Sequence, residues 1–304
     1  MRNSAGIEIH GSSNKQKLMQ VGYYHGFKGY RFYNKASDRI SFQNFSELCS
    51  VIEFDENLKA ILYQPILRLE TALKSYTCND IMEFIDSCSF SILFEKGFYT
   101  TDKDKTKKYK TRDQIYSALT KRYQTSEIVK HYYNKDEPVP LWAIFEELTL
   151  GDLSLLIESL TIPLKIKISK SIGIPTNMNT DGVLLPQVMR AIKDLRNAIA
   201  HNKVIYDGRY ITFRKRQSLI KLLAMQTSIP NIKFDGLFDD VILICFLMYN
   251  LKFTKSYILK IVGQIEAEIM NLHQILPNKL FQAVAGRMFL GIPLLKKYVK
   301  GLHS

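Results

Sequence analysis

Between Leu58 and Leu73 the apolar residues Leu58, Ile61, Leu62, Ile66, Leu69 and Leu73 recur every three or four positions. That period belongs to one face of an α-helix and excludes a strand, whose sides alternate at every second residue. Asp55 stands where a helix cap belongs, so a long helix is expected from there towards Asn79, after a short one over residues 46–54. Pro65 has no amide hydrogen and is expected to kink the long helix. Similar patterns predict helices over residues 112–133, 142–148, 152–160 and 184–202, the last with Pro186 in its first turn. Pro163, and Pro175 with Gly173, mark the loops that lead to it. Further on, residues 217–228, 237–267 and 279–300 read as helices. The stretch from Val241 to Leu251 is apolar almost all round, hence buried in the core or at a subunit interface. Asp207-Gly208, between Val204-Ile205-Tyr206 and Tyr210-Ile211-Thr212-Phe213, signals a small β-hairpin. The expected class is all-α, a helical bundle with that hairpin and a helical C-terminal extension.

With 304 residues the chain can bury a sizeable core in one large domain or two small ones, and 46% hydrophobic residues exclude a disordered chain. A net charge of +13 favours a polyanion such as nucleic acid, with ordinary solubility or an acidic protein partner as the alternatives. Cys49, Cys78, Cys88 and Cys245 show no metal-site spacing, so neither a metal nor another cofactor is expected. Cys78 and Cys88 are expected in the core, not in a disulfide. The chain does not open on a charged segment followed by an apolar stretch, and its longest apolar run, from Val241 to Tyr249, is too short to cross a bilayer. A soluble, cytoplasmic protein without membrane association is expected.

Chemistry concentrates in Asp194-Leu195-Arg196-Asn197-Ala198-Ile199-Ala200-His201-Asn202. Arg196 can hold a phosphate through its fixed fork of donors, and His201 can move protons near neutral pH. These are the side chains that metal-free RNA cleavage needs. On a continuous helix they point about 140° apart, whereas Asn197 and His201 share a face. A joint site requires Arg196 to reach round with its long stem, or the helix to loosen near His201. The bare spacing fits equally a histidine that complements the helix dipole and an Asn202 that only caps.

Two basic stretches could carry RNA. Lys103, Lys105, Lys107, Lys108, Lys110 and Arg112, around Tyr109, read as a mobile, solvated loop. Arg209, Arg214, Lys215 and Arg216 lie just beyond the motif, where phosphate contacts would set the register of a substrate. Tyr23, Tyr24, Tyr30 and Tyr33 read as structural, with Gly22, Gly26 and Gly29 allowing tight turns.

Around the Arg196–His201 motif the chain resembles the HEPN superfamily, whose members carry Arg-x4-6-His near the end of a long helix. Within it the chain is similar to the Abi-like (AbiD/AbiF-type) proteins of bacterial abortive infection. Three further stretches carry the resemblance: residues 22–33 (GYYHGFKGYRFY), residues 54–59 with 67–74 (FDENLK and LRLETALK), and residues 140–154 (PLWAIFEELTLGDLS). Departures are His25 in place of a common arginine, and Ile199 and Asn202 where a cysteine and a second histidine are frequent. Members usually begin with an additional helix, whereas here the paired tyrosines follow only some twenty residues.

The resemblance implies a HEPN-like core over residues 46–213, preceded by a Tyr/Gly-rich segment (1–45) and followed by the helical extension (214–304). It implies a toxin-like, metal-independent endoribonuclease with Arg196, Asn197 and His201 as its catalytic set. Glu70, on the first long helix, would orient His201, the alternative being a surface ion pair with Lys74. Lys74, Arg209, Arg214, Lys215 and Arg216 would hold RNA. HEPN nucleases pair two motifs across a two-fold axis, so a homodimer with a composite cleft is expected. Restraint of the toxin falls to an inhibitor, RNA or protein, either of which the positive charge would suit. The alternatives are a non-catalytic RNA-binding or antitoxin-like module of the same fold, and a protein-interaction scaffold whose motif helix forms the dimer seam.

Overall fold

The computed structural model describes residues 11–22, 26, 28–33, 37–99, 102–212 and 217–302. In chain order the α-helices are α1 (Gly11–Val21), α2 (Phe45–Ile85), α3 (Phe90–Ile92, running on into a π-turn over Leu93–Gly97), α4 (Asp102–Arg122), α5 (Glu127–Tyr133), α6 (Leu141–Glu147), α7 (Leu150–Ser159), α8 (Ile162–Ser171), α9 (Leu184–Ala200), α10 (Gln217–Thr227), α11 (Leu237–Asn250), α12 (Lys255–Ile275) and α13 (Asn278–Gly301). Among the described residues only isolated bridges stand in for strands, so the class is all-α.

The predicted β-hairpin is not formed. The amides of Ile205 and Tyr206, which a hairpin would turn to a facing strand, donate to Asp55 Oδ1 at 2.8 and 2.9 Å. The Asp207 carboxylate then accepts the Arg209 amide at 3.2 Å and opens a 3-10 turn over Gly208–Tyr210. A side-chain acceptor has taken the donors that strand pairing requires.

Other boundaries differ for equally local reasons. The expected break before Asp55 is absent, because Phe45, Leu48, Ile52, Leu58 and Leu62 form one continuous buried stripe. Pro65 sits inside α2. Residues 102–122 form α4 where a mobile basic loop was expected over 103–112. Lys108 and Arg112 lie over the Phe94 ring, at 4.3 and 5.5 Å, and Lys107 pairs with Glu158 at 3.1 Å. The single helix expected over 112–133 is divided at Ser126, whose hydroxyl caps α5 by accepting the Val129 amide. Pro163 opens α8 in its first turn and does not mark a loop. The expected 237–267 helix is divided at Lys252, which is left-handed (φ 66°), and Thr254, which caps α12. Cys88 is exposed, against expectation, while Cys49, Cys78 and Cys245 are buried, and these four are free thiols. No helix among the described residues is long and apolar enough to cross a membrane.

The chain packs as two compact units, residues 1–67 with 194–304, and residues 68–193. In the first, α11 is buried from Leu237 to Met248. Its first turn carries Asp239, whose carboxyl burial pushes up despite Arg287. That carboxylate accepts the Phe234 amide at 2.7 Å and pairs with Arg287 at 2.6 Å, which satisfies the buried charge. Helices α12 and α13 meet through His273, Phe281 and Phe289, with His273 and Phe281 ring centroids 4.3 Å apart, and through Lys296–Glu266 at 2.6 Å. Gly291 lets α13 pass against Phe238, because a methyl there would overlap the ring.

In the second unit Thr111 and Ser159 hydroxyls join α4 to α7 at 2.8 Å, and Glu158 gathers Lys107 and Arg190. Thr149 and Asp152 form a reciprocal capping box at the start of α7. Asn179 donates to Ser169 at 2.8 Å and accepts the Leu184 amide at 2.9 Å, fixing where α9 begins.

Candidate functional site

Helix α9 ends in a Schellman motif, which decides where each motif side chain goes. The Lys203 amide reaches back to the Ala198 carbonyl at 2.8 Å, and the Asn202 amide to Ile199 at 3.1 Å. Asn202 takes the left-handed conformation that this termination demands (φ 49°), a role asparagine fills more readily than most residues. The helix therefore stops after Ala200, two residues short of the predicted end, and His201 occupies the cap. Its amide still donates to the Asn197 carbonyl at 3.0 Å, so Asn197 and His201 keep a common face.

The helix releases at His201, and the Arg196 guanidinium bends onto its neighbour, donating from Nη1 to Asn197 Oδ1 at 3.3 Å. Arg196 and Asn197 are half-buried, His201 is exposed, and the imidazole has no hydrogen-bond partner among the described residues. One residue back from the motif arginine's flank, Asp194 accepts the Thr212 amide at 3.0 Å and its hydroxyl at 2.6 Å, tying the chain beyond the motif back to α9.

The corner is anchored by a residue that the sequence reading took for a cap. Asp55, on α2, is completely buried. Its Oδ1 accepts the Ile205 and Tyr206 amides; its Oδ2 accepts the Tyr30 hydroxyl at 2.7 Å and pairs with Lys59 at 2.8 Å. Lys59 in turn donates to Asn202 Oδ1 at 2.8 Å, so one ammonium links α2 to the left-handed end of α9. The Tyr206 ring stacks on Tyr30 with centroids 6.1 Å apart and meets Tyr33 at 5.9 Å. Burial raises the Tyr30 phenol, and the adjacent Asp55 raises it further, so it remains a proton donor; burial and Asp207 do the same for Tyr206. The structural reading of Tyr30 and Tyr33 holds, while Tyr23 and Tyr24 lie outside the described residues. Asp55 and Lys59 went unrecognised, although their spacing of one helical turn was a visible signal.

Next to Asn202 opens a cavity of about 260 Å³, lined by Lys203, Arg209, Tyr210 and Thr212 among others. Arg209 donates from Nε to Asp207 Oδ1 at 2.9 Å, and its Nη2 is buried with no hydrogen-bond partner among the described residues. Arg209 thus lines the same pocket as Asn202 and Lys203. Arg214, Lys215 and Arg216 lie outside the described residues. Glu70 and Lys74 belong to the second unit, where they pair at 3.7 Å. The described residues hold no cluster of three His, Cys, Asp or Glu that could bind a metal ion.

A family model described as Abi-like protein matches residues 16–207 of the chain. No curated protein and no solved structure matches it.

Proposed function

The chain belongs to the Abi-like protein family, and we propose that it is a metal-independent, toxin-like endoribonuclease of a bacterial abortive-infection system, built on a HEPN-type helical frame. Family membership supports the abortive-infection role. The nuclease reading rests on one observation: Arg196 turns its guanidinium onto Asn197, which shares a helix face with the exposed His201.

In the proposed reaction the ribose 2′-oxygen attacks the adjacent phosphorus while an imidazole takes the 2′-hydroxyl proton. The bond from phosphorus to O5′ breaks and O5′ receives a proton, leaving a 2′,3′-cyclic phosphate and a 5′-hydroxyl. Proton transfer by His201 would contribute about 10²–10⁴ in rate. Arg196 would stabilise charge building on the phosphoryl oxygens, with Asn197 holding the guanidinium in place. DNA, lacking the attacking hydroxyl, would survive.

One imidazole cannot stand at both ends of the broken bond. A two-fold homodimer would set two copies of Arg196 and His201 in one composite cleft, one imidazole as base and the other as acid. The exposed His201 ring suits that arrangement, since no hydrogen bond among the described residues engages it. Lys203 and Arg209 would contact phosphates next to the scission point, with Arg214, Lys215 and Arg216 of the following stretch extending the RNA surface. An RNA or protein inhibitor would restrain the enzyme in uninfected cells.

The test is cleavage of end-labelled cellular RNA in EDTA by wild type, Arg196→Ala and His201→Ala proteins of equal oligomeric state. The expected result is 2′,3′-cyclic phosphate ends from wild type alone. Cleavage that survives either substitution, or an active species that light scattering shows to be strictly monomeric, would sink the mechanism. RNA retained but uncut would favour the non-catalytic, RNA-binding alternative.

A further inference from the structure

Folded into α4, the basic run that ends at Arg112 joins a file of rings within the unit of residues 68–193. Tyr109 meets Phe94 with centroids 5.4 Å apart, and Phe94 meets Phe98 at 5.7 Å. Phe98 meets Phe90 at 6.3 Å, and Phe90 meets Tyr116 at 5.6 Å. Phe90 and Phe98 are buried, whereas the two ends of the file are open: Tyr109 is 47% exposed and Tyr116 46%. One half-open tyrosine needs no explanation. These two stand on one face of α4, two turns apart, which sets them about 10 Å from each other along the axis. Each is held by a phenylalanine, so little rotational freedom is left to lose when a flat partner settles on it.

Cations surround the file. Lys108 lies over the Phe94 ring at 4.3 Å, and Arg112 over Phe94 and Tyr109 at 5.5 and 4.9 Å. With Lys96, Lys105, Lys107 and Lys110 they stand against the acids Glu95, Asp113, Asp152 and Glu158. Two of those acids are committed: Asp152 closes the capping box of α7 and accepts from Gln114, and Glu158 is shared by Lys107 and Arg190. Asp113 pairs with Arg112 at 2.9 Å, an exposed contact of little weight. Lys108 and Lys110 pair with no acid among the described residues. Two fixed ring faces with an excess of amines fit a polyanion whose flat groups are unpaired. A duplex keeps its bases stacked on one another, and an acidic polypeptide needs the amines but not the rings. A single strand uses both.

We propose that this face of α4 is a further RNA-binding surface, on which Tyr109 and Tyr116 stack unpaired bases while Lys108 and Lys110 meet phosphates. The choice of RNA rests on the nuclease reading of the Arg196–His201 corner, but the surface contains none of that machinery.

Fluorescence anisotropy with a labelled oligouridylate of about 16 nucleotides tests it, in EDTA and in the full-length His201→Ala protein, which keeps the strand intact. Tyr109→Leu and Tyr116→Leu are each expected to weaken binding about ten-fold, and the pair about a hundred-fold, because the rings are far enough apart to act independently. Tyr→Phe at both positions keeps the rings and should keep the affinity. Lys110→Ala should lower the slope of log affinity against log salt by about 0.7. The same strand paired with oligoadenylate should bind more weakly and ignore the leucine substitutions. Affinity unmoved by leucine, an equal loss with phenylalanine, or an unchanged salt slope would overturn the assignment. So would a duplex bound as tightly as the single strand, or displacement of the strand by polyglutamate at equal charge, which would point to an acidic protein. Ring-dependent binding with no cleavage by wild type would fell the nuclease reading and leave this surface standing; cleavage with ring-independent binding would do the reverse.

Discussion

Replacing Asp55 by asparagine should destabilise the protein far more than its single lost charge suggests. The amide retains an oxygen for the Ile205 and Tyr206 amides, but it can no longer balance Lys59, whose side chain is only 8% exposed. Removing one partner of a buried pair typically costs about 3–5 kcal/mol, because the other charge is left buried and alone. The new NH2 would also face the Tyr30 hydroxyl and the Lys59 ammonium, both of which donate to the carboxylate. These effects share one site and do not add, so a total of about 3–5 kcal/mol is expected. Domain stabilities of about 5–15 kcal/mol would leave a folded protein with a clearly earlier transition. Guanidinium titration at neutral pH, followed by far-ultraviolet circular dichroism, measures it. Combining Asp55→Asn with Lys59→Met removes both charges and should recover about 1–3 kcal/mol relative to the sum of the single losses. A loss below about 1 kcal/mol for Asp55→Asn, or single losses that simply add, would refute the reading of Asp55 as a buried, charge-balanced junction.

Three further outcomes are expected. Tyr30 is an ordinary phenol when unfolded and has a raised value when folded, so its contribution is present below about pH 10 and is lost as the pH rises from there; Tyr30→Phe should flatten the alkaline end of the stability profile and cost about 1 kcal/mol at neutral pH. Arg209→Ala should weaken RNA binding evenly across sequences and lower the slope of log affinity against log salt by about 1, whereas an unchanged slope would remove Arg209 from the RNA surface. Gly291→Ala should cost about 1–3 kcal/mol because its methyl meets the Phe238 ring; Gly263→Ala, with open space around it, should stabilise by about 0.5–1 kcal/mol in the same thermal melts.

The parts of the fold legible in the sequence were those governed by local period. The apolar stripe of α2, the wholly buried α11 and the helix that carries Arg196 each announced themselves through residues three and four apart. What escaped was decided by acceptors far away in the chain. Val204-Ile205-Tyr206 has the look of a strand, and only a carboxylate 150 positions earlier explains why Ile205 does not pair as one. The basic run before Arg112 looked solvated because the Phe94 ring and Glu158, which engage it, are not sequence neighbours. At the motif, the identity of Arg196, Asn197 and His201 was plain. The bend of the guanidinium and the left-handed turn at Asn202 were not, since both depend on how the helix ends.

The junction at Asp55 has a consequence for how the protein is made. Synthesis delivers α2 early, with its buried acid, while the two amides that acid receives belong to residues 205 and 206. Until that later stretch leaves the ribosome, the carboxylate has no reason to be enclosed, and the chain that follows α9 has nothing to hold it. Ordering of the Arg196–His201 corner is thereby deferred until residues 205 and 206 have been made. A nascent chain that stops short of residue 205 would carry the motif's letters without its geometry.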